Sequence, residues 1–440
     1  MTQRLRLAIL LILLAHFALA LQYSLRNPLG EAPDEADHWA YVVYLVQERN
    51  LPVGPQLTQA KHPPLYHLGA ALFAALDEPA NDFFHPNPAM NLQPGPNYSP
   101  NFFQHDHEQP PWQGAILSFH LARLWSVLLS TATVAITFAL GLAAWRGRPG
   151  WALAAAGVLA FTPEFLFIGG SINNDNGAAF CGALALWGAL AIYRDGGRVR
   201  AGWWTPLALG AGVLAKVSSL ALWPVVWLAI MLGVWVDLRD ALLPFLRRVV
   251  VTSLFVFLPA LLMIAPWFVR NWRLYGDGMG MNMALQTIDQ RTAPWTWADT
   301  TWLLRGWFVS FWGKFGGAGH IPLPAWFYVV LAIATIVGIC GLIVLWLRGD
   351  WRSVRHPMLL LGLAVTAVAV GMWRYSLMAL GTDQGRLLYP AASALVVLFS
   401  AGLLVWIPDR WQYTAVFTLV ALFAVLAVFG LWGVLLPAFY

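Results

Sequence analysis

The segment Ala32-Pro33-Asp34-Glu35-Ala36-Asp37-His38 sets three acids and a histidine within five residues. A carboxylate held there suits removal of a proton from a hydroxyl or amine nucleophile. Where the departing group is a phosphate, positive charge or a metal has to stand nearby to take up the charge that develops. The competing reading is capping: Asp34 at an N-cap and Asp37 near the third helical position would stabilise a helix start after Pro33. Capping accounts for one acid and leaves Glu35 and His38 without a reason.

Other chemistry-bearing residues are scattered along the chain. Lys61-His62-Pro63-Pro64-Leu65-Tyr66-His67 puts a cation and a histidine before a rigid Pro-Pro turn. That arrangement suits a fixed phosphate or metal, and equally a plain surface loop. Ser171-Ile172-Asn173-Asn174-Asp175-Asn176 reads as a tight turn, whose Asn and Asp content is ordinary for turns. Asp175 gains interest because that turn is expected on the same side as Asp34. Lys216 interrupts an apolar stretch, Arg270 ends one, and Arg386 opens another within Asp383-Gln384-Gly385-Arg386. Charges at membrane depth are costly and usually face a cavity or a partner. Converging cations suit a lipid-linked phosphate or pyrophosphate; the alternatives are snorkelling to headgroups or pairing with Asp383. Arg123 reads equally as a structural partner for an acid. His85, His105-Asp106-His107 and Glu108 have the residue types of a metal site but lie in a proline-rich stretch without helical spacing.

These residues need elements to hold them, and composition says which. The chain has 440 residues, 59% apolar and 11% charged, with mean hydropathy +0.62. Continuous apolar runs of about 20 residues recur, without period-two alternation, so the spanning elements are helices rather than barrel strands. The fold class is therefore all-α, a polytopic membrane protein with about 11 transmembrane helices. The expected spans are 7–25, 120–145, 151–168, 176–193, 203–216, 218–236, 250–269, 325–347, 357–373, 387–406 and 413–436. The short fifth span implies an irregular junction near Lys216. Trp and Tyr gather near the run ends, as at membrane interfaces. With the N-terminus inside, the cytoplasmic loops carry fourteen arginines against five aspartates, the excess expected of inside loops. The sequence pI near 9.3 thus reports topology and implies no nucleic-acid partner. Arg4 and Arg6 before an apolar core ending in Ala18-Leu19-Ala20 resemble a cleaved signal, but the length of that core favours a retained helix. Cys181 and Cys340 read as small core residues without a disulfide.

The whole chain, 1–440, reads as one membrane-embedded domain with two external regions. The first, 26–118, is too long for a structureless loop. Within it, 34–48 reads as an interfacial helix, with Asp34, Asp37, His38 and Tyr41 on one face and Trp39, Val42, Val43 and Val46 turned to lipid. A second amphipathic piece covers 64–76. The stretch 79–111, with eight prolines, is expected to be an irregular flap or plug. The second region, 270–324, includes a further interfacial helix within 299–312.

In order, these motifs resemble the GT-C superfamily of membrane glycosyltransferases, the group with protein O-mannosyltransferases and the lipid A aminoarabinose transferase. The resemblance rests on Asp34-Glu35, His62-Pro63-Pro64-Leu65-Tyr66, Arg123-Leu124-Trp125-Ser126, Lys216, Pro266-Trp267 to Arg270-Asn271, and Gly385-Arg386 to Pro390. It implies inverting transfer of a sugar from a polyprenyl-phosphate donor at the periplasmic face of a bacterial cytoplasmic membrane. Asp34 would be general base, beside Glu35. By the same resemblance Asp175 would meet acceptor or metal, and Lys216, Arg270 and Arg386 the donor phosphate; the local residue pattern adds Asp37, His38 and His62 toward acceptor or metal and Lys61 toward the phosphate. A divalent metal ion as cofactor stays open, since members differ; sugar and acceptor are unspecified. The 79–111 insert departs from the common pattern. The rival classes are a secondary transporter or flippase, expecting ionisable residues at the midplane and broken helices in paired halves, and a non-catalytic lipid-binding relative.

Overall fold

The computed structural model describes every residue of the chain except Met1, Pro94 and His107. Its helices are α1 (Gln3–Arg26), α2 (Glu35–Glu48), α3 (Leu65–Ala74), α4 (Gly114–Ala144), α5 (Pro149–Ala160), α6 (Pro163–Gly169), α7 (Asp175–Arg194) and α8 (Thr205–Ala215). They continue with α9 (Trp223–Leu238), α10 (Leu242–Tyr275), α11 (Met281–Ala284), α12 (Trp297–Trp312), α13 (Ala325–Arg348), α14 (His356–Ser376), α15 (Ala392–Leu404) and α16 (Gln412–Phe429). Lys314–Phe315 (β1) and Ile321–Pro322 (β2) form one small antiparallel pair.

Among the described residues nine helices are long and apolar enough to cross a membrane, and α5 with α6, bent by 61°, makes a tenth. The fifth expected span is α8, apolar but only 11 residues long. At about 1.5 Å rise per residue it falls well short of a bilayer's hydrocarbon core. After it the chain runs extended through Lys216 and coils again as a 3₁₀ turn, Val217–Leu222, leading into α9. This is an integral membrane protein.

Burial separates core helices from lipid-facing ones. The apolar stretch of Gly385–Leu404 is 83% buried in protein, while that of α13 is 17% buried. In lipid no hydrophobic force drives helices together, so close packing through small residues does it instead. Gly182 of α7 shows the device: a Cβ there would lie 2.0 Å from the Pro390 carbonyl oxygen. Only glycine lets α7 approach the 3₁₀ turn Gly385–Ala391 that carries Arg386. Cys181 is buried as expected, but Cys340 faces outward from α13.

The two long regions between spanning helices, 26–118 and 270–324, fold against these helices. Trp39, Val42 and Val43 of α2 are buried among Ala70, Phe119 and Ala122, with Phe83 and Phe84 of the insert packed over them. The apolar face of α2 therefore packs on protein and not on lipid, because the insert supplies aromatic cover the pattern of α2 alone does not reveal. The insert itself is paired rather than loose: Pro86 bridges Phe103 and Asn91 bridges Ser99 in antiparallel fashion. α12 begins with a capping box, Thr296 bonding the Asp299 amide and Asp299 bonding back. Its inner face, Leu303, Trp307, Ser310 and Phe311, is buried.

Candidate active site

Asp34 precedes α2 in a left-handed conformation, φ 60°, and its side chain makes no capping hydrogen bond. Asp and Asn tolerate this region better than most residues, yet strain held at one position implies surroundings that enforce it. The neighbouring residue does the enforcing. Both Glu35 oxygens accept from Arg123, at 2.8 Å from Nε and 2.7 Å from Nη2. Arg123 also donates to the carbonyls of Ser24, Asn27 and Pro28, so all five guanidinium N–H groups are engaged. Glu35 further accepts from the amides of Gly30 and Ile172. This buried knot ties the end of α1, the start of α2, and the turn before α7 to α4.

That turn is not a solvent-exposed loop, for Ser171 through Asn176 are all buried. The Asn173 amide donates to the Tyr66 hydroxyl at 2.8 Å and its side chain to the Pro33 carbonyl at 3.0 Å. Asn174 reaches the Ala215 carbonyl at 3.1 Å. The turn thus fixes Asp175 relative to Asp34 on one side and the Lys216 backbone on the other.

The result is a circuit of charges from four distant parts of the chain. Arg386 Nη2 donates to Asp34 at 2.5 Å, Nη1 to Asp175 at 2.8 Å, and Nε to Gln384 at 2.6 Å. Lys216 donates to the other Asp175 oxygen. Asp175 is fully buried and Arg386 nearly so, whereas the Asp34 side chain is 45% exposed. Among the described residues two Arg386 N–H groups have no hydrogen-bond partner. Burial would raise the Asp34 carboxyl, but Arg386 first, with His38 and Lys61, holds it down to about 2.

The remaining expected residues divide. Asp37 is raised by partial desolvation of its carboxyl and by Asp34, against Lys61 and the Thr58 hydroxyl. Lys61 makes no ion pair within 4 Å among the described residues; burial lowers it, and Asp34 and Asp37 pull the other way. His38 donates to or accepts from His67 at 2.8 Å and stacks on His62 at 6.0 Å. Burial holds His38 down to about 3 against the pull of Asp34, with Arg386, Lys216 and Lys61 adding to the depression. His62 is lowered well below its ordinary value by burial and the same lysines. Burial thus favours the neutral form of both imidazoles. Arg270 stands outside the circuit, donating to the Pro52 carbonyl at 2.6 Å and lying over Trp267.

No family model matches the sequence, and no curated protein sequence matches it. Solved structures do. The oligosaccharyltransferase of Archaeoglobus fulgidus, in complex with Zn and sulfate, matches 98% of this chain at TM-score 0.55 and 13% identity. This chain spans about half of that one, 53%. ArnT from Cupriavidus metallidurans bound to undecaprenyl phosphate matches at TM-score 0.53 and 15% identity, over 100% of this chain and 74% of ArnT. The chain shares the fold of these two structures.

Within that fold, some contributors carry no role in the expected set. Tyr66, inside the Pro-Pro-Leu-Tyr motif, bonds Ser126 at 2.6 Å and braces the Asn173 turn. Glu164 is a fully buried acid at the bend between α5 and α6, accepting from the Lys314 amide at 2.9 Å. A lone acid in an apolar run is a signal available in sequence. The Lys314 side chain stands 4.0 Å from Asp383, so Asp383 pairs with Lys314 while its neighbour Arg386 turns inward. The His105 cluster is a latch: His105 bonds Glu108 at 2.7 Å and Glu31 at 3.0 Å, with His107 outside the described residues. Burial opposes the charge on His105, but the two carboxylates push it up to about 9.

The donor set facing Asp34 does not fit a metal ion. Asp175 has both oxygens on cations and Asp34 bonds a guanidinium, and among the described residues no three His, Cys, Asp or Glu side chains are grouped to hold one.

Proposed function

We propose that this protein transfers a sugar from a polyprenyl-phosphate donor to a hydroxyl or amine acceptor, with inversion, at the extracytoplasmic face. The observation that carries the reading is the Asp34–Arg386–Asp175–Lys216 circuit, which joins a carboxylate with an exposed edge to cations anchored behind it. Asp34 takes the acceptor proton. The acceptor atom attacks the anomeric carbon, the bond from that carbon to the phosphate oxygen breaks, and the phosphodiester becomes a phosphomonoester dianion. Arg386, with two N–H groups to spare, and Lys61, without an ion pair, meet that growing charge; Lys216 acts from behind through Asp175. His38 and His62, neutral, line the approach with Asp37 and serve acceptor contact. Glu35, fully engaged with Arg123, positions Asp34 and does not itself take a proton. Arg270 braces the loop after α2.

Support comes from three directions. ArnT of the same fold is bound to undecaprenyl phosphate. The arginine-rich loops lie at the opposite helix ends from the circuit, as the positive-inside rule asks of an extracytoplasmic site. Glu164, the acid in a broken span that a transporter would use, bonds the amide of Lys314 in the external β1–β2 hairpin.

The test is incubation of purified protein with polyprenyl-phosphate sugars and mixed acceptors, measuring release of lipid phosphate. Wild type releases it with one of the sugars, and Asp34→Asn does not. Substrate movement across sealed vesicles that survives Asp34→Asn would instead establish a carrier.

A further inference from the structure

We infer that Arg386 changes partners during the reaction: the donor phosphate takes the place of Asp34 on its guanidinium, and only then is the base free to act. The inference deepens the proposed function and rests on it.

Four observations carry it. Arg386 holds two carboxylates at once, so its charge is already neutralised before any donor arrives. The two are unequal. Asp175 is fully buried, shares its second oxygen with Lys216 and is fixed by the Asn173 turn. Asp34 is 45% exposed, accepts no backbone hydrogen bond through its carboxylate, and sits in a left-handed conformation imposed from Glu35. Of the two, Asp34 is the partner that yields. The unpartnered N–H groups of Arg386 give a phosphate oxygen its first foothold, and Lys61 stands near Asp34 without an ion pair to bring it in. A phosphate beside an anionic Asp34 is repelled unless that carboxylate leaves.

The exchange also balances charge. While Arg386 grips it, Asp34 is a poor proton acceptor, well below working pH. Once released it accepts the acceptor's proton and becomes neutral, as the phosphate gains its second negative charge. The guanidinium then faces one dianion where it had faced a carboxylate. Donor binding therefore precedes base activation, which keeps Asp34 from deprotonating an acceptor when no donor is present.

The test is the affinity of purified protein in nanodiscs for undecaprenyl phosphate, with uncharged undecaprenol as control. Asn accepts the left-handed conformation at position 34, so Asp34→Asn preserves the fold. It is expected to bind the lipid phosphate roughly tenfold more tightly than wild type, since the phosphate no longer displaces a charged hydrogen bond. Simple repulsion by Asp34 would give a gain too, and the Arg386→Gln background separates the two. Partner exchange predicts that the gain disappears there; a gain that persists overturns the exchange. Arg386→Lys, expected to show a reduced gain, replaces Arg386→Gln if that variant fails to fold. A gain below about threefold in the wild-type background also overturns it. Binding by wild type and Asp34→Asn that does not distinguish phosphate from alcohol overturns the donor reading itself, and the exchange with it.

Discussion

Two arginine–carboxylate contacts begin at adjacent residues and end in different work. Glu35 and Arg123 are both fully buried, and every guanidinium N–H is spoken for. Asp34 and Arg386 share the same chemistry, but one partner is 45% exposed and the guanidinium has N–H groups left over. A saturated buried pair cannot change partners without leaving a charge stranded in low dielectric, so it holds structure. An unsaturated pair with one exposed member can, so it suits chemistry.

Breaking the saturated pair should produce the largest effect. Arg123→Ala leaves Glu35 buried and uncompensated, and is expected to cost about 3–5 kcal/mol, read by thermal unfolding in detergent. A loss under about 1 kcal/mol would mean the knot is dispensable. Asp34→Asn is expected to lower transfer by about 10²–10⁴-fold with unfolding unchanged, measured as lipid-phosphate release per folded molecule. Lys61→Ala comes next: donor affinity falls by about tenfold, with maximal rate changing less, in a titration of donor against initial rate. An unchanged affinity would remove Lys61 from the phosphate path.

A smaller effect concerns the latch between the insert and the first loop. His105 is raised in the folded protein to about 9 from an ordinary 6.5. A raised histidine adds stability that is fully present below about 6.5 and lost as pH climbs through 9. His105→Gln should flatten the decline of melting temperature across that window, and an unaltered slope would show that the latch does not couple to folding. Arg270→Ala, outside the circuit, should leave donor affinity nearly intact.

The spans were readable because continuous apolar runs and inside arginines are local properties of sequence. The eleven expected spans reappear as nine long helices, the bent α5–α6 pair and the short α8. Lys216 stands out in sequence as a cation in an apolar stretch, and Arg386 as one that opens such a stretch, because both sit at costly depth. What stayed hidden was pairing. Nothing near Glu35 announces that Arg123, 88 residues on, will consume it, nor that Phe83 and Phe84 will cover Trp39. The amphipathic pattern of α2 fits lipid and protein equally well, and only tertiary packing decides between them. Asp175 is marked in sequence only by the expected side of its turn; the burial of that turn, against Tyr66, Pro33 and Ala215, is what sequence does not show.

The most direct measurement sets the neighbours against each other: melting temperature and lipid-phosphate release for Asp34→Asn and Glu35→Gln, side by side. Asp34→Asn should keep the melting temperature and lose release, while Glu35→Gln should lower the melting temperature. If Asp34→Asn melts as early as Glu35→Gln, or continues to release lipid phosphate at the wild-type rate, Asp34 is one more structural acid and the circuit is no catalytic site.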